Sequence, residues 1–160
     1  MVRITKNIDE CVDEIKNGNV VVFPTETVYG MGTDIYNEIG VRKIFEYKKK
    51  PKFLPLIVHV HSFSQVTDLI TLDDTSLIFL KDVFEKLTPG PISFLLPKSD
   101  KVPDYVTANT SKVCIRIPSN DTALAFLKKV NTPICAPSAN SYCHASATCA
   151  NHILEDFSDL

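Results

Sequence analysis

Four short segments of this 160-residue chain concentrate side chains that can hold anions. The first is Pro24-Thr25-Glu26-Thr27-Val28-Tyr29-Gly30-Met31-Gly32, where an apolar run delivers hydroxyls, a carboxylate and a phenol into a glycine loop. Glycine there allows close backbone approach, though the threonines can equally satisfy local backbone groups in a tight turn. The second is a basic stretch, Arg42, Lys43, Lys48, Lys49, Lys50 and Lys52, opposed only by Glu46. Such a field suits phosphate, and a solvated helix face is the alternative. The third is Thr88-Pro89-Gly90-Pro91-Ile92-Ser93, a rigid turn. The fourth is Ala136-Pro137-Ser138-Ala139-Asn140-Ser141, whose Ser and Asn can donate to phosphate, coordinate through a hydrated metal, or cap a helix. Arg116 stands apart, inside the apolar run Cys114-Ile115-Arg116-Ile117. A buried arginine demands an anion. A carboxylate of a substrate or of the protein itself would serve, gripped by two parallel hydrogen bonds.

The elements that must position these residues alternate between strand and helix. Ile8, Cys11, Val12 and Ile15 recur at helical spacing, and Asn17-Gly18 stops that helix. Val20 to Phe23 reads as a buried strand, and 24–32 as loop. Asn37 caps a helix with Ile39, Val41, Ile44 and Phe45 on its buried side. Leu56 to Val60 is a second strand. A long helix after Asp74 carries Leu77, Leu80, Phe84 and Leu87 on one stripe, and the prolines after Thr88 end it. Ile92 to Leu96 and Val113 to Ile117 read as strands, Thr122 to Val130 as a helix, and Pro133 to Ala136 as a short strand. The last helix begins near Thr148. This order predicts one α/β domain over 1–160, a sheet covered by helices, with ligands gathering at the polar strand ends.

Composition narrows the function classes. The chain is 44% hydrophobic and 22% charged, with formal net charge -2. That weighs against nucleic acid held by overall charge. No apolar run approaches the ~18 residues of a membrane span. Five cysteines without a CxxC pair, together with the charged N-terminus, predict reduced thiols in a cytoplasmic protein. Cys143, His144, Cys149 and His152 match no zinc spacing, so no protein metal site is assigned. The P-loop, the dinucleotide GxGxxG fingerprint and the GxSxG nucleophile elbow are all missing from the sequence.

In chain order, VVFPTETVYGMG, KKKPKFLPLIVHV, LTPGPISFLL, VCIRIP and APSAN resemble the YrdC-like family of threonylcarbamoyl-AMP synthases. The resemblance runs from about Val20 to the last helix. It implies a twisted mixed α/β sheet with flanking helices around an open, positively charged cavity. It also implies a nucleotidyltransferase reaction. L-Threonine and bicarbonate condense to a carbamate, which attacks the α-phosphate of ATP, usually with Mg2+, and pyrophosphate leaves. The L-threonylcarbamoyl-AMP formed would pass to a tRNA threonylcarbamoyl transferase complex that modifies adenosine 37 of tRNA. On this resemblance Thr25, Thr27, Tyr29, His59 and Arg116 line the threonine pocket, with Arg116 on the carboxylate. Lys48, Lys50, Ser138, Asn140 and Ser146 bind ATP, and Mg2+ is held through ATP near Ser138 and Asn140. No protein nucleophile is required.

The chain also departs from the family pattern. Lys48-Lys49-Lys50 replaces Lys-x-Arg, which keeps charge but loses the planar fork. Leu54 and Asn120-Asp121 replace commoner residues, and Ser141-Tyr142-Cys143 and Ser146-Ala147-Thr148 lack a usual glycine and proline. The resemblance implies a further glycine-rich segment beyond the last helix, and the sequence read here runs only to Leu160. From this the segment Ser141 to Ala147 is expected to lack packing partners. The competing reading is an RNA-binding or regulatory module with the same fold and lost catalysis, its weak RNA contact made by the lysines. A carbamoyl-transfer domain of hydrogenase maturation is a third, without its accompanying domains.

Overall fold

The computed structural model describes residues 2–49, 51 and 54–159. Helix α1 (Ile8–Lys16) starts where the Asn7 side chain accepts the Asp9 amide, and it buries Val12 and Ile15. Strand β1 (Val21–Phe23) pairs antiparallel with β2 (Gly30–Asp34), which begins inside the stretch 24–32 expected to be loop. Gly30-Met31-Gly32 has little β propensity, yet β2 is buried because its glycines let other chains close in. Helix α2 (Glu38–Lys48) is capped by Asn37, as expected, and buries Val41, Ile44, Phe45 and Lys48. Ile39, expected on that face, is 68% exposed. At 3.6 residues per turn it lies about 200° from Val41.

Strand β3 (Ile57–His59) and helix α3 (Phe63–Leu69) follow. Helix α3 was not legible from periodicity. It is a short helix capped by Ser62, burying Val66 and Leu69. Helix α4 (Asp74–Leu87) presents Leu80 and Phe84 to the core, while Leu87 is exposed at its end. Beyond it, the Gly90 amide donates to Ile117 O, which pins the proline turn beside the exit of the arginine strand. Then come β4 (Phe94–Pro97), α5 (Asp104–Thr107), β5 (Lys112–Arg116), α6 (Asp121–Val130), β6 (Ile134–Cys135) and α7 (Ala150–Asp156).

The strands form one mixed six-stranded sheet in the order β1-β2-β6-β3-β5-β4, with only β3 and β5 parallel. Side chains alternate across it, as the pleat requires. Val58, Val113, Ile115 and Cys135 enter the larger core with α2, α3 and α4. Val21, Phe23, Ile134 and Ala136 enter a second core with Val12 and Ile15 of α1 and Phe126 and Leu127 of α6. His59 and Arg116 each follow a residue of the larger core, so their side chains leave on the second face.

The sheet curls towards its second face. In a flat sheet the backbones of β1 and β3 would stand about 14 Å apart, and curl together with side-chain reach brings the Phe23 and His59 ring centroids to 6.0 Å. Glu26, just after β1, likewise reaches Arg116 at the end of β5. Gly32 sits inside the bend. A Cβ there would lie 2.6 Å from Ile134 Cγ2 and 2.9 Å from Phe23 Cε1. Gly32→Ala should therefore destabilise the fold by about 1–3 kcal/mol through overpacking, read as a lowered urea midpoint. An unchanged midpoint would mean the curl is loosely packed.

Candidate active site

Arg116 is 9% exposed at the last position of β5, directly across from His59 in the β3 register. Its Nη2 donates to Glu26 Oε1 at 2.7 Å and to Thr27 Oγ1 at 3.1 Å. The anion that the sequence demands beside Arg116 is thus a protein carboxylate, that of Glu26, which its motif alone does not single out. The pair is incomplete. Arg116 Nε and Glu26 Oε2 are both buried without a hydrogen-bond partner. Each such atom costs about 1–3 kcal/mol in lost hydration. Burial is the largest single influence and works to raise the Glu26 carboxyl, but the bond from Arg116, the backbone amides of Glu26 and Ser119 and the Arg116 charge together outweigh it and hold the group below the usual carboxylate range.

The turn that carries Glu26 is tied by Thr25. Its hydroxyl donates to Val28 O at 2.6 Å and accepts from the Thr27 and Val28 amides. Thr25 is committed to holding the turn, as the local reading of this segment anticipated. Thr27 is exposed, and its hydroxyl lies 3.0 Å from Thr25 Oγ1 and within reach of Arg116. His59 is buried edge-on to Phe23, its Nδ1 unpartnered. Burial, reinforced by the positive charge of Arg116, pushes its pKa down to about 4. At neutral pH it is therefore an uncharged imidazole beside the guanidinium.

The second half of the site grows from α2 and the segment after β6. Lys48, 3% exposed, folds its ammonium into the Ser138–Asn140 turn and donates to the carbonyls of Ser138 and Asn140. Asn140 is buried, and its amide donates to Ser141 O and His144 O at 2.8 and 2.9 Å. Its Oδ1 has no partner among the described residues. Lys48, Ser138 and Asn140 thus lie together. Ser146 is exposed on the same loop beside buried Ala147. Lys50 lies outside the described residues.

The expectation that residues 141–147 lack packing partners is corrected in part: 142–146 are exposed, but the segment is tied at both ends and by hydrogen bonds. Asp156 of α7 accepts from the Ser141 amide and lies 2.8 Å from His144 Nδ1. Partial burial works to raise the Asp156 carboxyl, but these bonds hold it below the usual range. The Tyr142 amide donates to Lys48 O at 2.7 Å, and Ala147 is 2% exposed. The short α7 supplies the support, and nothing in the sequence singled out Asp156. The two halves are also stitched to each other. Tyr29 N donates to Ala147 O, Ala139 N to Tyr29 O, and Met31 N to Pro137 O, all within 2.9 Å. The Tyr29 side chain itself packs against the larger core.

Comparison with known proteins gives this arrangement a family. The Sua5/YciO/YrdC family, described as telomere recombination, matches residues 13–160, and the chain belongs to it. It is 40% identical over 144 residues to a threonylcarbamoyl-AMP synthase of Pyrococcus abyssi, covering 89% of this chain and 41% of that one. A threonylcarbamoyl-AMP synthase of Pseudoalteromonas atlantica is 31% identical over 144 residues, with 89% of this chain and 75% of that one covered. The crystal structure of P. abyssi Sua5 complexed with L-threonine superposes with a TM-score of 0.90 at 37% identity, over 99% of this chain and 46% of that one. The chain spans about two fifths of the length of the archaeal relative.

Two consequences can be measured. Asp156→Ala should speed hydrogen exchange at the Ser141 amide about tenfold or more, since a charge-assisted bond is lost, while the β3 and β5 amides stay protected. Equal exchange would show that the loop is held by its other contacts. For His59 the native pKa lies below the unfolded value of 6.5, so the unfolded chain binds more protons between them and stability falls as pH drops. From pH 7 towards pH 4 this contributes a loss of at most about 3 kcal/mol. His59→Gln should flatten the slope of urea stability between pH 5 and 7, above the range where Glu26 titrates. An unaltered slope would show that His59 is charged or solvated in the fold.

Proposed function

We propose that the chain catalyses formation of L-threonylcarbamoyl-AMP from L-threonine, bicarbonate and ATP, as a nucleotidyltransferase. The observation that carries this reading is Arg116, a buried cation with an unsatisfied N–H, set beside the Thr27 hydroxyl and the neutral His59 imidazole. That combination suits a small hydroxy amino acid, whose carboxylate needs a fork and whose hydroxyl needs a neutral partner. The names of the relatives and the threonine complex of the archaeal homologue support it.

In the proposed reaction the threonine amine and bicarbonate yield a carbamate and water. A carbamate oxygen then attacks the α-phosphorus of ATP, and the bond to the β-phosphate oxygen breaks to release pyrophosphate. Arg116 holds the threonine carboxylate, with Thr27 and His59 on the rest of the amino acid. Lys48, Ser138 and Asn140 face the phosphates, with Lys50 and Ser146 at the nucleotide. Lys48 supplies positive charge and backbone order at once, since its ammonium already fixes the Ser138–Asn140 turn. Nothing in this reaction needs a protein nucleophile. Holding the carbamate against the phosphorus and stabilising the charge that develops there suffice.

Magnesium fits this reading only as an ion carried by the nucleotide. Among the described residues no cluster of three or more His, Cys, Asp or Glu side chains is present to cage it. Asn140 Oδ1, buried and unpartnered, is a suitable oxygen donor to a hydrated ion. When bound, the ion would neutralise phosphate charge. The product would be handed to a tRNA threonylcarbamoyl transferase complex acting on adenosine 37. Among the described residues no helix is long and apolar enough to cross a membrane.

The test is incubation with ATP, bicarbonate and labelled threonine, scoring pyrophosphate and the labelled adenylate. Both should appear in equal amounts. Arg116→Lys should retain the fold and weaken threonine binding by about tenfold or more, because a bidentate contact is lost. ATP turnover without threonine dependence would sink the reading, and so would undiminished threonine affinity in a folded Arg116→Lys protein.

A further inference from the structure

We infer that Glu26 is a built-in occupant of the carboxylate seat on Arg116, and that an incoming amino acid must displace it. This rests on the reading of Arg116 as that seat. The guanidinium presents Nε and Nη2 along one edge, the edge that grips a carboxylate with two parallel bonds. Glu26 takes only Nη2, at 2.7 Å. Nε on the same edge is buried and unpaired, and so is the second oxygen of Glu26. Two complementary atoms of one ion pair are thus both left unsatisfied. Glu26 therefore shields the buried cation and fills the seat poorly, so a better-fitting carboxylate can replace it.

The supporting structure favours exchange. Arg116 ends a strand paired with neighbours on both sides, whereas Glu26 sits in the turn after β1, whose fixed point is Thr25. The carboxylate can leave by side-chain rotation without disturbing that anchor. A full seat in the free protein lowers apparent ligand affinity by the fraction of time the seat is open. The same factor applies to every ligand of the seat, so the preference for a carboxylate over its amide or ester comes from Arg116, and Glu26 sets only how tightly the seat is held. Glu26 takes no part in bond making.

The experiment is calorimetric titration of wild type and Glu26→Gln with L-threonine, L-threonine amide and acetate. The glutamine keeps the shape and a weaker hydrogen bond but removes the competing charge. L-Threonine and acetate should each bind the variant about three- to tenfold more tightly, and the preference for threonine over its amide should be retained. Carbon-13 NMR of the Glu26 carboxyl in wild type supplies a reading that does not depend on the variant. Saturating threonine or acetate should shift that resonance towards the position of a solvent-exposed glutamate. Equal or weaker binding of both carboxylates to Glu26→Gln, with no shift at Glu26, would overturn the inference. In that case Glu26 stays on Arg116 and helps hold the ligand. Tighter acetate binding by the variant with no threonine binding to either protein would keep the seat and remove threonine as its occupant. Equal threonine binding by both proteins would keep threonine and remove the displacement.

Discussion

A guanidinium buried at the end of a central strand is the constraint around which this protein is arranged. Arg116 shares its face of the sheet with Phe23, Ile134 and the helices α1 and α6, an environment that would not tolerate an isolated charge. The carboxylate that meets it lies ninety positions away in the sequence, in the turn after a strand four places distant in the sheet. Bringing it there requires the sheet to curl, and the curl requires glycine where β2 passes Phe23 and Ile134. The charge also sets the state of its neighbours. It lowers the Glu26 carboxyl, and it adds to the burial that keeps His59 neutral. A cation, an anion and an uncharged imidazole are thereby held within one small volume.

Backbone hydrogen bonds join this cluster to the second half of the site. The Tyr29–Met31 segment exchanges bonds with Pro137, Ala139 and Ala147. Those residues belong to the loop that Lys48 and Asp156 hold from two other directions. A buried lysine ammonium donating to carbonyls is an economical fastener, because it satisfies its own donors and the turn's acceptors together. The amino-acid and phosphate sides of the proposed reaction are therefore parts of one hydrogen-bonded body. That coupling matters for a reaction whose rate depends on position more than on any reactive side chain.

Much of this was legible in the residues. The strands around Val22, Val58, Ile115 and Ile134, the helix capped by Asn37 and the apolar stripe of the long helix around Asp74 follow from apolar period and capping chemistry. Arg116 announced itself by standing in an apolar run, and its need for an anion was a matter of charge burial alone. Thr25, Ser138 and Asn140 were marked by their place at strand ends. The order of the motifs was enough to suggest the family to which the chain belongs.

What the residues could not decide were choices among partners that only the folded chain offers. Substrate and protein carboxylates were equal candidates for Arg116 until the curl of the sheet delivered Glu26. Strand β2 looked like a loop because glycine carries no pattern, and it became a strand only through its neighbours on both sides. The loop after Asn140 looked unsupported because its support, Asp156, is an ordinary acidic residue in a short helix. Local physics fixes periodicity, caps and the cost of burying a charge, since these depend on near neighbours in sequence. Which distant group meets that cost depends on the path of the whole chain, and so belongs to the tertiary structure.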